Sequence, residues 1–210
     1  MKLSRRKFFF FGSSAGIGAA GAACGDVLKT TPKQTEGPFY PIQAQKDQDF
    51  DLTKIEGREG TAKGEVIHIV GTVVDTEANA VEDATVDMWQ ANSAGRYAHP
   101  HDKNSAPLDD NFQGWAIVPS GKEGGFKFKT IMPGAYPISK SSKRTPHIHF
   151  KVSKRGYVEL TTQMYFPGQQ LNPTDGILNR HSKEEQEQLI SRSDKDLSNT
   201  FHFRIVLQKA

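Results

Sequence analysis

The run Val66-Ile67-His68-Ile69-Val70-Gly71-Thr72-Val73-Val74 sets the fold class. β-Branched residues dominate it, and two substituents on Cβ suit a pleated strand better than a helical turn. Asp75 to Ala80 reads as the turn that ends it. The same signal repeats further along the chain. Ala84 to Gln90 alternates apolar and polar residues, as a half-buried strand does. Gly125 to Ile131 and His147 to Val152 alternate cleanly, and Tyr157 to Phe166 and Phe201 to Leu207 complete the set. Short strands joined by turn-rich loops, with 19 Gly and 11 Pro in the chain, predict an all-β protein, an antiparallel β-sandwich with long loops. The longest loop runs from Ala91 to Asn111. One short surface helix is expected where Ser182-Lys183-Glu184-Glu185 forms a capping-box pattern ahead of Gln186 to Ser191.

A length of 210 residues suits one domain or two small ones. With 36% hydrophobic and 24% charged residues, the chain is neither a multi-span membrane protein nor a disordered one. Lys and Arg are interspersed with Asp and Glu, and the net charge is only +3, so no basic stripe points to a nucleic-acid partner. Residues 25–64 are polar, with Gly, Pro, Lys and Asp throughout, and read as an extended N-terminal arm. Residues 65–210 carry the β-sandwich.

Residues 1–24 read as an address. Ser4-Arg5-Arg6-Lys7-Phe8-Phe9 precedes a Gly- and Ala-rich apolar run, with no acidic residue before Asp26. The paired arginines followed by Phe resemble a twin-arginine export signal. Cys24, the sole cysteine, follows Ala22-Ala23 and precedes Gly25, which resembles a lipoprotein cleavage site. The alternative is cleavage at an Ala-x-Ala type site with an incidental Cys. The expectation is an exported chain, periplasmic or envelope-anchored, with membrane attachment through a lipidated Cys24. One Cys allows no intrachain disulfide, so the core or a metal must hold the fold.

His147-Ile148-His149 is the first candidate for chemistry. Residues i and i+2 of a strand share a face, roughly 7 Å apart at Cα, so both imidazoles can converge on one metal. A zinc site and a mere surface pair are the other readings. His99-Pro100-His101 lies in the long loop, where Pro disfavours an interior strand. No Cys is left as a third ligand; Asp, Glu and Tyr remain. Tyr136 sits in the turn Gly134-Ala135-Tyr136-Pro137, and Tyr97 opens the long loop after Gly95-Arg96.

Five segments, in order, resemble the intradiol ring-cleavage dioxygenases. They are Thr35-Glu36-Gly37-Pro38-Phe39-Tyr40-Pro41, Trp89-Gln90-Ala91-Asn92-Ser93-Ala94-Gly95-Arg96-Tyr97, Thr130-Ile131-Met132-Pro133-Gly134-Ala135-Tyr136-Pro137, Arg144-Thr145-Pro146-His147-Ile148-His149-Phe150 and Leu160-Thr161-Thr162-Gln163-Met164-Tyr165-Phe166. The loop Ala106 to Phe112 also resembles the protocatechuate 3,4-dioxygenase β-subunit type, and the separate helical N-terminal domain of the catechol 1,2-dioxygenases is missing.

The resemblance implies a non-haem Fe(III) held by Tyr97, Tyr136, His147 and His149, with one position left for hydroxide. It implies that Tyr136 leaves the metal when a catechol binds and takes up a catechol proton. Dioxygen then adds to the ring, both oxygen atoms are incorporated, and a cis,cis-muconate results. Arg144 takes the place of the family arginine that stabilises the electron-rich ring carbon. Gln163, Gly37 and Pro38 are the implied substrate-binding residues, with Gln163 supporting Arg144 or substrate oxygens. Where an aromatic often follows the second Tyr-Pro, this chain has Ile138, and the short segment Ser139 to Lys143 is basic, with Lys140 and Lys143 placed to attract a carboxylated catechol. The implied partners are a catechol-type small molecule and O2. Assembly as a homo-oligomer and a self-sufficient pocket built with the arm both remain open. Two further readings stand beside this one: a catalytically silent, metal-stabilised β-sandwich binding module, and a zinc hydrolase built on the histidine pair.

Overall fold

A computed structural model describes residues 27–43, 47–139 and 141–210. Residues 1–24, where the sequence suggested an export signal with a lipidation site, lie outside them, as does Lys140.

The described residues form ten strands, one α-helix and two short 3-10 turns. The strands are β1 (Val66–Asp75), β2 (Thr85–Trp89), β3 (Trp115–Pro119), β4 (Gly125–Ile131), β5 (Tyr136–Pro137), β6 (Lys143–Arg144), β7 (His147–Ser153), β8 (Leu160–Tyr165), β9 (Arg192–Ser193) and β10 (Thr200–Leu207), and the helix is α1 (Lys183–Leu189). Two four-stranded sheets, ordered β4-β1-β10-β9 and β3-β2-β7-β8, form the sandwich, and β5-β6 is a small hairpin beside it. All pairings between these strands are antiparallel except β1 with β10, which run parallel with Ile69 opposite Phe201. Side-chain alternation sets which face is buried but carries no strand direction, so the sequence could not register this pair. Strand β3 had no expectation. It is an edge strand closed by Pro119, tolerable there because an edge position need not donate on both sides. Helix α1 begins at the capping box: Ser182 Oγ accepts from the Glu185 amide, and the Glu185 carboxylate accepts from the Ser182 amide.

The core lies between the two sheets. Ile67, Ile69, Val73, Phe128 and Ile205 of the first meet Val86, Met88, Ile148, Phe150 and Val152 of the second. Phe150 is fully buried, and its ring lies 5.5 Å from that of Phe203 and 5.8 Å from that of Phe126. At the end of the second sheet that carries the histidines, the opposite face is also buried. Trp89, His147, His149, Gln163 and Tyr165 project from it, matched in register as Trp89 with His149, His149 with Gln163 and His147 with Tyr165.

The N-terminal arm covers that face. The Gln34 amide donates to the Thr161 carbonyl along the edge of β8; over the face itself the Gln163 amide donates to the Thr35 carbonyl, the Tyr165 hydroxyl to the Gln34 side chain, and the Tyr40 hydroxyl to Asp87 at 2.6 Å. Further on, the Leu52 amide donates to the Lys129 carbonyl and ties the arm to the first sheet.

Phe150→Ala is expected to destabilise the protein by about 3–5 kcal/mol, the usual range for a large buried aromatic. Urea unfolding at equilibrium measures it, and a loss under about 1 kcal/mol would show that the sandwich core is not centred here.

Candidate metal centre

Tyr97 and Tyr136 are brought together by two loops whose backbones touch. Gly95 has φ 79°, and a Cβ there would sit 2.4 Å from the Ala135 carbonyl oxygen. A Cβ on Gly134 would sit 2.4 Å from the Gly95 amide nitrogen. Only glycine permits that approach at both positions. Asn92 staples the pair: its carbonyl accepts from the Gly95 and Gly134 amides, and its Oδ1 accepts from the Ala94 and Arg96 amides. The Tyr97 amide donates to Asp102 at 2.8 Å, which fixes the start of the loop. Tyr136 is not in a free turn, as the sequence suggested. Its backbone pairs with Arg144 in the β5-β6 hairpin, so any freedom it has lies in the side chain.

His147 and His149 project from β7 toward those phenols. The four side chains are all buried, with exposures of 4% for Tyr97, 8% for Tyr136, 2% for His147 and 3% for His149. The imidazole centroids lie 4.9 Å apart, the Tyr97 ring is 5.6 Å from that of Tyr136 and 6.2 Å from that of His149, and the Tyr136 hydroxyl is 3.4 Å from His147 Nε2. His147 Nδ1 faces the Thr145 carbonyl at 2.6 Å. A carbonyl can only accept, so Nδ1 carries the hydrogen and Nε2 presents its lone pair toward Tyr136. Trp89 stacks flat on His149 at 4.8 Å and sets its ring plane.

Burial dominates the protonation of this cluster. It pushes both histidines well below the ordinary imidazole range, with the Arg144 cation adding to the effect on each and His147 also acting on His149. It pushes the Tyr97 phenol well up, with Tyr136 as the next cause, and raises Tyr136 as well, against the pull of the Arg144 cation. Without a metal, all four groups are therefore neutral near pH 7. Among the described residues the Tyr97 hydroxyl and His149 Nδ1 have no hydrogen-bond partner, an arrangement that costs free energy unless something else satisfies it. Among the described residues no three His, Cys, Asp or Glu side chains gather in a metal-binding group, so any donor set here is completed by phenol oxygens. Two oxygens that become anionic on deprotonation and two neutral nitrogens fit a hard, highly charged cation.

A cleft of about 710 Å³ opens beside the cluster, lined by Gly37, Pro38, Phe39, Tyr136, Arg144 and His149 among others. Ile138 sits at its mouth and is largely exposed. Arg144 reaches the cleft from a buried network: Nε donates to Asp175 at 2.8 Å, and Nη2 donates to Gln163 at 2.6 Å and to the Tyr165 hydroxyl at 3.2 Å. Gln163 supports Arg144, one of the two roles the sequence offered for it, but does not line the cleft. It is fully buried behind Arg144, accepts from it, and donates to the Thr35 carbonyl, so its amide is spent within the protein. His99 and His101 stand 5.2 Å apart, and His101 lines the cleft rim. The sequence reading missed Trp89, Tyr165 and Asp175. The i+2 spacing of Gln163 and Tyr165 would have found Tyr165; nothing local marks Asp175.

A family model described as Dioxygenase matches residues 35–209. The β-sandwich with its buried Tyr/His centre belongs, by that match, to a class of oxygen-using enzymes. The protocatechuate 3,4-dioxygenase beta chain of Burkholderia cepacia is 38% identical over 189 residues, 86% of this chain and 80% of that one. Hydroxyquinol 1,2-dioxygenase of Nocardioides simplex is 33% identical over 131 residues, 56% of this chain and 43% of that one, so this chain spans under half of that longer relative. Among solved structures, the dioxygenase domain of a dioxygenase carbohydrate-binding protein fusion from Streptomyces sp. SirexAA-E superposes with a TM-score of 0.66 at 27% identity, covering 87% of this chain and all of that one. The chain belongs to the intradiol ring-cleavage dioxygenase family, an oxidoreductase of that type.

The two neutral histidines have a consequence for stability. Each folded-state pKa is depressed, so the unfolded chain binds more protons than the native one below about pH 6.5, and stability falls as pH drops through that range. Metal-free protein should lose stability between pH 7.5 and 5.5 at up to about 1.4 kcal/mol per pH unit for each histidine. Urea unfolding across that range should be flatter for His149→Gln; equal slopes would contradict a neutral, buried His149.

Proposed function

We propose that this chain is a non-haem Fe(III) intradiol dioxygenase. It opens a catechol-type ring between the two hydroxyl-bearing carbons and adds both atoms of O2 to give a cis,cis-muconate. One observation carries the reading: two phenols and two imidazoles, drawn from three separate segments, are buried side by side at a cleft that also receives an arginine. The family match and the relatives named for ring cleavage support it.

Tyr97, Tyr136, His147 and His149 would hold the iron. Fe(III) bound there would supply Lewis acidity, lowering the pKa of phenols and of a catechol held beside it. The chain's own residues do the rest. The Thr145 carbonyl and the Trp89 face fix the two imidazoles before substrate arrives, so little reorganisation is needed. Once ionised, the Tyr136 phenolate oxygen at the cleft wall would be placed to take a proton from a catechol hydroxyl and become the neutral phenol. Arg144 keeps its charge at any working pH and presents it to the cleft, where it stabilises negative charge on the ring. Gly37 lies against His149, a Cβ there being 3.5 Å from the imidazole, and its φ of 74° is a turn that glycine makes without strain. Pro38 and Phe39 wall the cleft with apolar surface that excludes water. The arrangement of the N-terminus extends the proposal to location. Ser4 to Phe9 and Cys24 read as a twin-arginine signal and lipidation site, giving an exported, periplasmic or envelope-anchored enzyme. Assembly into a homo-oligomer is part of the same proposal.

The test is oxygen uptake and product spectra over catechol, protocatechuate, hydroxyquinol and substituted catechols with iron-loaded protein. Stoichiometric O2 consumption with a muconate product is expected. Metal-dependent melting without oxygen uptake on any catechol would favour a silent binding module. Arg144→Ala should keep the iron-tyrosinate colour and slow turnover by about 10²-fold or more; an unchanged rate would remove Arg144 from the mechanism.

A further inference from the structure

Asp175 lies about thirty residues after Arg144, in the loop between β8 and α1, and is 0% exposed. Its two carboxylate oxygens are divided between two tasks. Oδ1 accepts from the Ile177 and Leu178 amides, both at 3.0 Å, and shapes the loop's own turn. Oδ2 accepts from Arg144 Nε at 2.8 Å and from the Thr145 amide at 3.0 Å, and so reaches the strand that leads into the histidine pair. The turn alone would be served by any short side chain with an acceptor oxygen, and a neutral asparagine does that well. A buried negative charge is costly unless it is paired, and here its partner is the Arg144 guanidinium.

The hold on that guanidinium is planar. Asp175 takes the Nε edge. Gln163 Oε1 and the Tyr165 hydroxyl take Nη2. Tyr165 in turn donates to Gln34, and Gln163 donates to the Thr35 carbonyl, so the arm backs the network. Among the described residues Nη1 makes no hydrogen bond of good geometry; the Tyr136 phenol is the nearest acceptor on that side, and both residues line the cleft. We propose that Asp175 is a positioning residue: by holding Nε it fixes the guanidinium plane and directs Nη1 to the reacting ring. The catalytic part of this inference rests on the role given to Arg144 above; the geometric part does not.

Asp175→Asn separates the two tasks. Asparagine can keep Oδ1 on the loop amides while its Nδ2, a donor, faces Arg144 Nε and the Thr145 amide, which are also donors. In the iron-loaded enzyme, kcat should fall about tenfold or more, with KM within about threefold and the colour band unmoved. In an Arg144→Ala background the same change should alter kcat by less than about twofold, because a residue acting through Arg144 has nothing left to position. A second readout needs no turnover. The Arg144 Nε–H, identified in nitrogen-15 spectra by its loss in Arg144→Ala, should exchange with solvent at least about tenfold faster in Asp175→Asn. An equal kcat loss in both backgrounds, an undiminished kcat, or an equally protected Nε–H would overturn the proposal. If Asp175→Asn does not fold, Arg144→Lys replaces it: lysine keeps the charge but cannot take both holds, and a kcat within about twofold of the parent would overturn the proposal equally. A wild-type chain that cleaves no catechol sinks the functional reading above, while the exchange measurement still judges the Asp175 contact.

Discussion

Everything at the centre depends on one sheet being buried on both faces at the end that carries the histidines. A strand exposes alternate side chains to opposite sides, so Ile148 and Phe150 enter the sandwich core only if His147 and His149 leave it. In a simple sandwich those histidines would face water. Here the arm lies over them, and the outer face of β2-β7-β8 becomes a second, polar interior that holds the imidazoles, Trp89, Gln163 and Tyr165. Burial there does two things. It keeps the imidazoles neutral and so ready to donate lone pairs, and it makes an unsatisfied phenol expensive enough that a cation becomes the natural completion of the site.

Backbone proximity supplies the phenols. Gly95 and Gly134 let two loops from different parts of the chain press together, and Tyr97 and Tyr136 follow from that contact. The β5-β6 pairing then links Tyr136 directly to Arg144, so a phenol of the cluster and the guanidinium share one small hairpin. The arginine is held by Asp175, Gln163 and Tyr165, and it also lines the cleft.

Much of this was legible in the sequence, for identifiable reasons. Period-two alternation marked β4 and β7 to within a residue of their ends, because each has one face in a core. The capping box placed α1 because its hydrogen bonds are local. The four side chains of the centre stood in motif strings, and the fold brings all four together. What stayed hidden was non-local. The parallel direction of β10 leaves no trace in alternation. Gln163 looked like a cleft residue because its strand was readable, but its depth behind Arg144 was not. Asp175 sits in an irregular loop where an acidic residue ordinarily means a solvated turn, and only the folded chain reveals its partner.

The central claim is that two phenolate oxygens and two imidazole nitrogens share one ferric ion. Resonance Raman spectroscopy of the iron-loaded protein, excited in its visible absorption band, tests that most directly. The account predicts tyrosinate vibrations from two distinct residues, one set lost in Tyr97→Phe and the other in Tyr136→Phe. A spectrum without tyrosinate modes, or one that survives both substitutions, would contradict it.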